Sequence, residues 1–443
     1  MKTKFNSNII RTLLLVILTL ILAISFVSCG EEEGVLSKEA IAEAMAAETK
    51  TDRAHAVDYF DSWGIPYSSF SRSKVLGTEI LYRDYYVKDL PDNFTLAKTA
   101  VSLFLEYLYD ETDLTNDAAL TDALIICYVE AIGDPYSFYR TEEEFEDYDT
   151  DMSGSFSGIG VVVQYEYLTE IMTVTDVYID SGAEDAGILP GDIIKKVNGT
   201  PSTELGYQKT VNQIRGEEGT RVNITVERDG QEITFEVVRK KVVEETVRYS
   251  LGEDKIGYIR ITDFKTITYS QFKEAVDHMT ENGAVGIIYD LRANPGGYLN
   301  VVLNMLDYIA PRGTTLVSFS DGYGDPIKAS SNHIVKLPTV VLCNERTASA
   351  GELFTAAMRD FGVMEFFPVK TVGVKTFGKG VMQSTYNFTD GAAITLTVAY
   401  YNPPSGVNYD GVGIEPDIKS ELLAEGDSQL DDAYTAMAGL LAN

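Results

Sequence analysis

The chain has 443 residues, 45% hydrophobic and 23% charged, with a formal net charge of −31. That length exceeds one ordinary core and predicts about two to four globular domains. So acidic a surface repels phosphate backbones, which excludes nucleic acid as an expected partner.

At the N-terminus, Lys2, Lys4 and Arg11 precede an apolar run from Leu13 to Val27 that only Thr19 and Ser25 interrupt. The run is short for a membrane span and suits a secretion signal over residues 1–28. It ends F-V-S-C-G, which resembles a bacterial lipobox. The resemblance implies that Cys29 becomes the lipidated N-terminus, anchoring the protein to a membrane on the extracytoplasmic side of a bacterial envelope. An uncleaved signal anchor is the alternative. Cys127 and Cys343 sit in apolar contexts and are expected to be buried free thiols. His55, His278 and His333 are scattered and fit no zinc pattern, so neither metal nor other cofactor is expected.

Residues 29–95 open with an acidic, Ala-rich tether able to become helix, and the Tyr-, Asp- and Ser-rich remainder has no assigned role. Apolar spacing predicts amphipathic helices over Leu96–Leu108 and Asp117–Ile132, the second stopped by Gly133 and Pro135. A charged connection from Asp134 to Asp151 completes a helical region over 96–150. The pattern then becomes one of short strands, with a helix near Ser181–Ala186 and another over Thr203–Ile214. From Lys255 onward strands and helices alternate, which argues an α/β layered core with catalytic groups at loops following strand ends.

Two short stretches carry the chemistry. Ser349-Ala350-Gly351-Glu352 has the S-x-x-E form of a capping box. The same position faces helix N-terminal N–H groups, which favour a developing oxyanion, so Ser349 is equally a candidate nucleophile. No G-x-S-x-G elbow surrounds it, and no histidine has a motif around it. Lys379 lies in Phe377-Gly378-Lys379-Gly380, where the glycines allow close backbone approach. Loss of solvation there lowers a lysine toward the range of a general base, which needs about 3–4 kcal/mol of differential desolvation. A solvated turn lysine is the alternative.

Around residues 152–240, Ser157-Gly158-Ile159-Gly160 and the turn Gly187-Ile188-Leu189-Pro190-Gly191-Asp192 fall where a PDZ domain keeps its carboxylate-binding loop and helix–strand turn. The resemblance implies that Ser157, Gly158, Ile159 and Gly160 receive a terminal carboxylate while a strand edge pairs with an extended peptide. Further on, Asp290-Leu291-Arg292-x-Asn294-Pro295-Gly296-Gly297, then Ser349-x-x-Glu352, Thr376-Phe-Gly-Lys379-Gly with Gln383, Pro404-Ser405-Gly406 and Gly413-Ile414-Glu415-Pro416-Asp417 follow one another. In that order, around a PDZ block, they resemble the carboxyl-terminal processing peptidases, tail-specific serine proteases with an inserted PDZ domain.

That resemblance implies an α/β multidomain fold with a ClpP/crotonase-type layered core over 241–425 and a C-terminal helix over 426–443. It implies a serine endopeptidase acting on proteins or peptides with free C-terminal tails, and leaves the oligomeric state open. Ser349 matches the nucleophile, Lys379 the base and Gln383 the residue that orients the base. The oxyanion donors would be Ala350 and either Gly296 or Gly297. Arg215 matches an arginine at the boundary between PDZ domain and protease, which the resemblance implies would link peptide binding to the active site; a surface salt bridge is the alternative. Extra residues around Met364–Lys370 lengthen the interval between Ser349 and Lys379 and leave Lys370 and Lys375 as decoy bases. A catalytically silent peptide-binding scaffold is the second reading.

Overall fold

The computed structural model describes residues 37–48, 53–65, 69–320, 323–423 and 426–442. The expected signal segment 1–28 and Cys29 lie outside the described residues. Two compact units emerge: Ser155–Glu244, and Val35–Gly154 with Glu245–Asn443.

The larger unit begins with helices α1 (Lys38–Ala47), α2 (Ala56–Ser62) and α3 (Ser69–Tyr85). Two of these occupy the stretch the sequence left unassigned. Their buried face is built from Tyr59, Phe60 and Trp63, with buried Glu79 accepting from the Ala56 N–H at 2.7 Å. Aromatic residues spaced among aspartates hide the usual aliphatic periodicity. Helix α4 (Asn93–Leu103) runs into a π-helical turn, Phe104–Leu108, and α5 (Asp117–Ile132) ends at Gly133 with φ 75°. The expected charged connection after it is structured: strand β1 (Phe138–Arg140) and helix α6 (Glu142–Ser153) fill it. A capping box between Thr141 and Glu144 starts α6, yet no side chain of that helix is buried, so it leaves no apolar signature.

The smaller unit holds β2 (Ser155–Gly158), β3 (Val161–Glu166), β4 (Ile171–Val177), α7 (Gly182–Ala186), β5 (Ile193–Val197), β6 (Thr200–Pro201), α8 (Ser202–Ile214), β7 (Arg221–Arg228), β8 (Gln231–Val238) and β9 (Lys240–Val243). Its main sheet has the order β3-β4-β5-β7-β8, which leaves β3 at an edge. The unit's first and last strands pair antiparallel, with Ser155 opposite Val243. The Gly187–Asp192 turn is clamped from β7: Arg228 donates to both oxygens of buried Asp192 at 2.6 and 2.7 Å and to the Gly187 carbonyl at 2.8 Å.

The remaining chain supplies β10 (Val247–Leu251), β11 (Ile256–Ile261), α9 (Thr268–Glu281), β12 (Gly286–Asp290), α10 (Leu299–Ile309), β13 (Thr315–Phe319), β14 (Ile327–Lys328), β15 (Thr339–Cys343), α11 (Ala350–Val363), β16 (Val369–Gly373), β17 (Val381–Asn387), β18 (Ala393–Asn402), β19 (Ile418–Lys419) and α12 (Ser428–Leu441). A six-stranded sheet of order β10-β11-β12-β15-β16-β19 is parallel except at its β10 edge. Ile287, Tyr289 and Val341 face the core built with α9, α10 and α11, whereas Ile288, Val340 and Leu342 face Ala433 and Met437 of α12. Strands covered on both faces read as continuous apolar runs, which is why the sequence marks them clearly. In the second sheet β18 carries β1, β17 and β13.

Arg292, just past β12, joins the sheet to α12. It bonds both oxygens of fully buried Asp290 at 2.9 and 2.7 Å and both oxygens of Asp427, the α12 N-cap, at 2.6 and 2.8 Å. Removing one partner of a buried ion pair costs about 3–5 kcal/mol. We therefore expect Arg292→Ala to lower the urea midpoint accordingly and to deprotect α12 amides first in hydrogen exchange. The Arg292 hydrogen bonds hold Asp427 below the usual carboxylate range. Its stabilisation is complete above the unfolded carboxylate pKa of about 3.9 and is lost as pH falls through the lower folded value.

Candidate active site

The parallel sheet delivers two loops to one place. After β12, the chain turns through Ala293 with φ 59° and Gly296 and Gly297 with φ 109° and 137°. After β15, it turns through Asn344–Ala348 into α11. Side chains and backbone lock these loops together: Ala293 N–H donates to Asn344 Oδ1 at 2.9 Å, Thr347 Oγ1 to the Leu291 carbonyl at 2.8 Å, and Ala348 N–H to the Asn294 carbonyl at 2.9 Å. A side chain at Gly296 would meet the Ser349 Cβ at 2.8 Å, so only glycine lets the loop approach the serine so closely.

Ser349 stands at the entrance to α11 with φ 53° and ψ −117°. An ordinary N-cap is extended, and this conformation costs about 1–3 kcal/mol. The expected capping box joins Ser349 and Glu352, with the Glu352 carboxylate accepting from the Ser349 N–H at 3.0 Å. That fully buried carboxylate does more than cap. It also accepts from Thr376 Oγ1 at 2.6 Å, Gly378 N–H at 2.7 Å and Lys379 N–H at 2.8 Å. One side chain therefore ties the serine to the lysine loop. The glycines around Lys379 answer the same crowding: a Cβ at Gly378 would lie 2.9 Å from Gly413 N, and one at Gly380 would lie 2.8 Å from Asp410 N.

Ser349, Ala350, Gly296, Gly297, Lys379 and Gln383 all line one cleft of about 320 Å³, with Tyr148, Met152, Tyr298 and Leu299 on its apolar walls. Burial pushes the Lys379 ammonium below the ordinary lysine range, against the opposing pull of Asp134, Asp410 and Glu352. Its Nζ lies 4.4 Å from the Tyr136 ring centroid. The two decoys are elsewhere: Lys375 is exposed and pairs with Glu415 at 3.4 Å, and Lys370 is an exposed strand residue. No histidine lines the cleft, and His333 stacks on Tyr308. Cys127 and Cys343 are buried free thiols, with burial raising Cys343 to about 12.

The two candidate oxyanion glycines differ. Gly296 N–H is taken by Asn294 Oδ1 at 2.8 Å, whereas among the described residues Gly297 N–H and Ala350 N–H have no acceptor. Sequence reasoning treated Glu352 as a cap alone and passed over Thr376, whose hydroxyl both donates to Glu352 and accepts from the Ile414 N–H at 2.7 Å. The T-F-G-K-G spelling was the available signal.

In the smaller unit, Ser157 and Gly158 belong to β2 opposite Lys241 and Lys240, and the Ile159 side chain is buried in the core. The Ile159 and Gly160 carbonyls accept from Ala183 and Tyr178, while their N–H groups have no acceptor among the described residues. Arg215 caps α8, its guanidinium 5.8 Å from the Phe156 ring centroid.

With this geometry in place, comparison with known proteins gives the class. Residues 255–420 match Peptidase family S41, and residues 173–228 match a PDZ domain. The chain is 36% identical over 311 residues to the carboxy-terminal processing protease CtpA of Bacillus subtilis (strain 168), covering 70% of this chain and 65% of that protein. It is 36% identical over 324 residues to a probable CtpA-like serine protease of Staphylococcus haemolyticus (strain JCSC1435), covering 71% and 64%. It thus spans just under two thirds of the length of these relatives. A solved photosystem II D1 C-terminal processing protease aligns over 81% of this chain and 95% of its own at 24% identity, with a TM-score of 0.47.

Glu352→Ala leaves four donors unsatisfied in a buried site. At about 1–3 kcal/mol for a single orphaned group, we expect an unfolding free energy lower by on the order of 3 kcal/mol. Urea denaturation measures it.

Proposed function

We propose that this protein is a serine endopeptidase that captures the C-terminal tails of proteins with its PDZ domain and cleaves them through a Ser349–Lys379 dyad. The observation that carries this reading is the shared cleft, in which Glu352 ties the Ser349 backbone to that of a partly desolvated lysine. Neutral Lys379 Nζ takes the Ser349 Oγ proton as Oγ attacks the scissile carbonyl carbon. The resulting oxyanion is received by the Ala350 and Gly297 N–H groups, the pair that lacks other acceptors among the described residues. Collapse breaks the C–N bond, and Lys379 returns its proton to the departing amine. Water then attacks the acyl-enzyme with Lys379 again as base, regenerating the Ser349 hydroxyl and freeing the acid.

Tail capture is supported by the edge position of β3, which can accept a peptide as an added strand, and by the unused N–H groups of Ile159 and Gly160 beside it. Arg215, in this reading, couples tail binding to the protease. A lipid anchor at Cys29 would hold the enzyme on the outer face of a bacterial membrane.

We expect Ser349→Ala and Lys379→Ala each to abolish cleavage of an unstructured protein, followed by mass spectrometry, while Lys375→Ala keeps wild-type activity. Full activity in Lys379→Ala would remove the base assignment. In the wild type kcat/KM should rise with pH along one ionisation below the ordinary lysine value of about 10.4, because a depressed pKa frees the base earlier. Amidating a peptide's C-terminus should weaken its capture, and equal binding of acid and amide would exclude carboxylate recognition. Mass spectrometry of the mature protein should find a lipidated Cys29 at its N-terminus, and an intact Met1 would sink the anchor.

A further inference from the structure

The segment from Gly133 to Ser137 lies far from the protease motifs in sequence but reaches beneath the dyad. Asp134 follows the left-handed Gly133 that ends α5, and its side chain is fully buried. Its Oδ2 accepts from Ser137 Oγ at 2.5 Å and from Thr397 Oγ1 at 2.6 Å. Thr397, on β18, in turn accepts from Gln383 Nε2 at 3.2 Å. The contact depends on a β-bulge: Met382 pairs with Ala399 but the next residue, Gln383, pairs with Thr397, so Val398 is skipped. Without that irregularity a valine would stand opposite the glutamine, with no hydroxyl to offer.

The direction of these hydrogen bonds has a chemical consequence. A threonine hydroxyl has one proton, and Asp134, an acceptor, takes it. Thr397 can then only accept, so Gln383 must turn its NH2 toward Thr397 and its carbonyl oxygen away. Resting on the dyad reading above, we propose that Asp134 and Thr397 are positioning residues: through the Thr397 hydroxyl they fix the Gln383 amide so that its oxygen is presented to Lys379. Asp134 also lies close enough to favour the charged form of Lys379, as do Asp410 and Glu352, and the Tyr136 ring lies beside the ammonium. Around Asp134 itself stand Lys88, with Nζ 3.6 Å from Oδ1, and Tyr82, Tyr86 and Tyr136.

The test compares Thr397→Val, Thr397→Ser and Asp134→Asn in the full chain on one unstructured protein substrate, with Ser349→Ala and Lys379→Ala alongside. Circular dichroism checks folding. Thr397→Val keeps the shape and the backbone bonds but removes the hydroxyl. Its kcat should fall at least about tenfold, as for a misplaced catalytic group, with KM within about twofold, while Thr397→Ser restores kcat. Asp134→Asn removes a negative charge beside the lysine, so the acidic limb of its pH profile should move to lower pH. Wild-type kcat in Thr397→Val, or equal loss in Thr397→Ser, would overturn the proposal. Should Thr397→Val not fold, wild-type kcat together with an unmoved limb in Asp134→Asn does the same. Activity surviving in Ser349→Ala or Lys379→Ala would instead strike the dyad reading itself.

Discussion

The Glu352 carboxylate is the interaction on which the candidate site depends. Four donors from two separated loops converge on it. The demand propagates outward. For the lysine loop to reach Glu352, its backbone must pass against residues 410–413, which requires glycine at 378 and 380. For Ser349 to present its N–H there, the helix entrance must take a left-handed conformation. That strain is held by hydrogen bonds linking the 344–348 and 291–297 loops. A buried anionic acceptor of this kind is costly to leave partly satisfied, so it orders both loops as one body.

Much of this was legible from residues alone. The double-sided burial of β12 and β15 wrote itself as continuous, largely apolar runs, and helix stops such as Gly133 fell where the chain turns. The spelling F-G-K-G pointed to close backbone packing, and the structure gives each glycine a neighbour that a methyl group would strike. Other parts were invisible for physical reasons. Helix α6 buries no side chain, so its only mark was a Thr141–Glu144 cap. Helices α2 and α3 pack through aromatic residues and a buried glutamate, which no apolar period reveals. The choice between Gly296 and Gly297 turns on where one asparagine oxygen points, a matter of three-dimensional register.

The N-terminal helical region gains a meaning that its sequence did not suggest. Its buried carboxylate, Asp134, sits in a network with β18 and, through it, β17, more than two hundred residues later. Strand β1 of the same region adds to β18 directly. The protease core is thus not self-contained at residue 245: one of its sheets is completed, and one of its strands supported from below, by chain that precedes the PDZ unit.

The pairing of Ser155 with Val243 bears on how such a molecule came to be built. An antiparallel ladder at the unit's ends brings entry and exit side by side, whatever lies between them. To the core, some ninety intervening residues are topologically equivalent to one surface turn, and their closure entropy is absorbed locally rather than by the catalytic sheet. A module joined in this way can be exchanged, lengthened or lost while the loops around Glu352 keep their register.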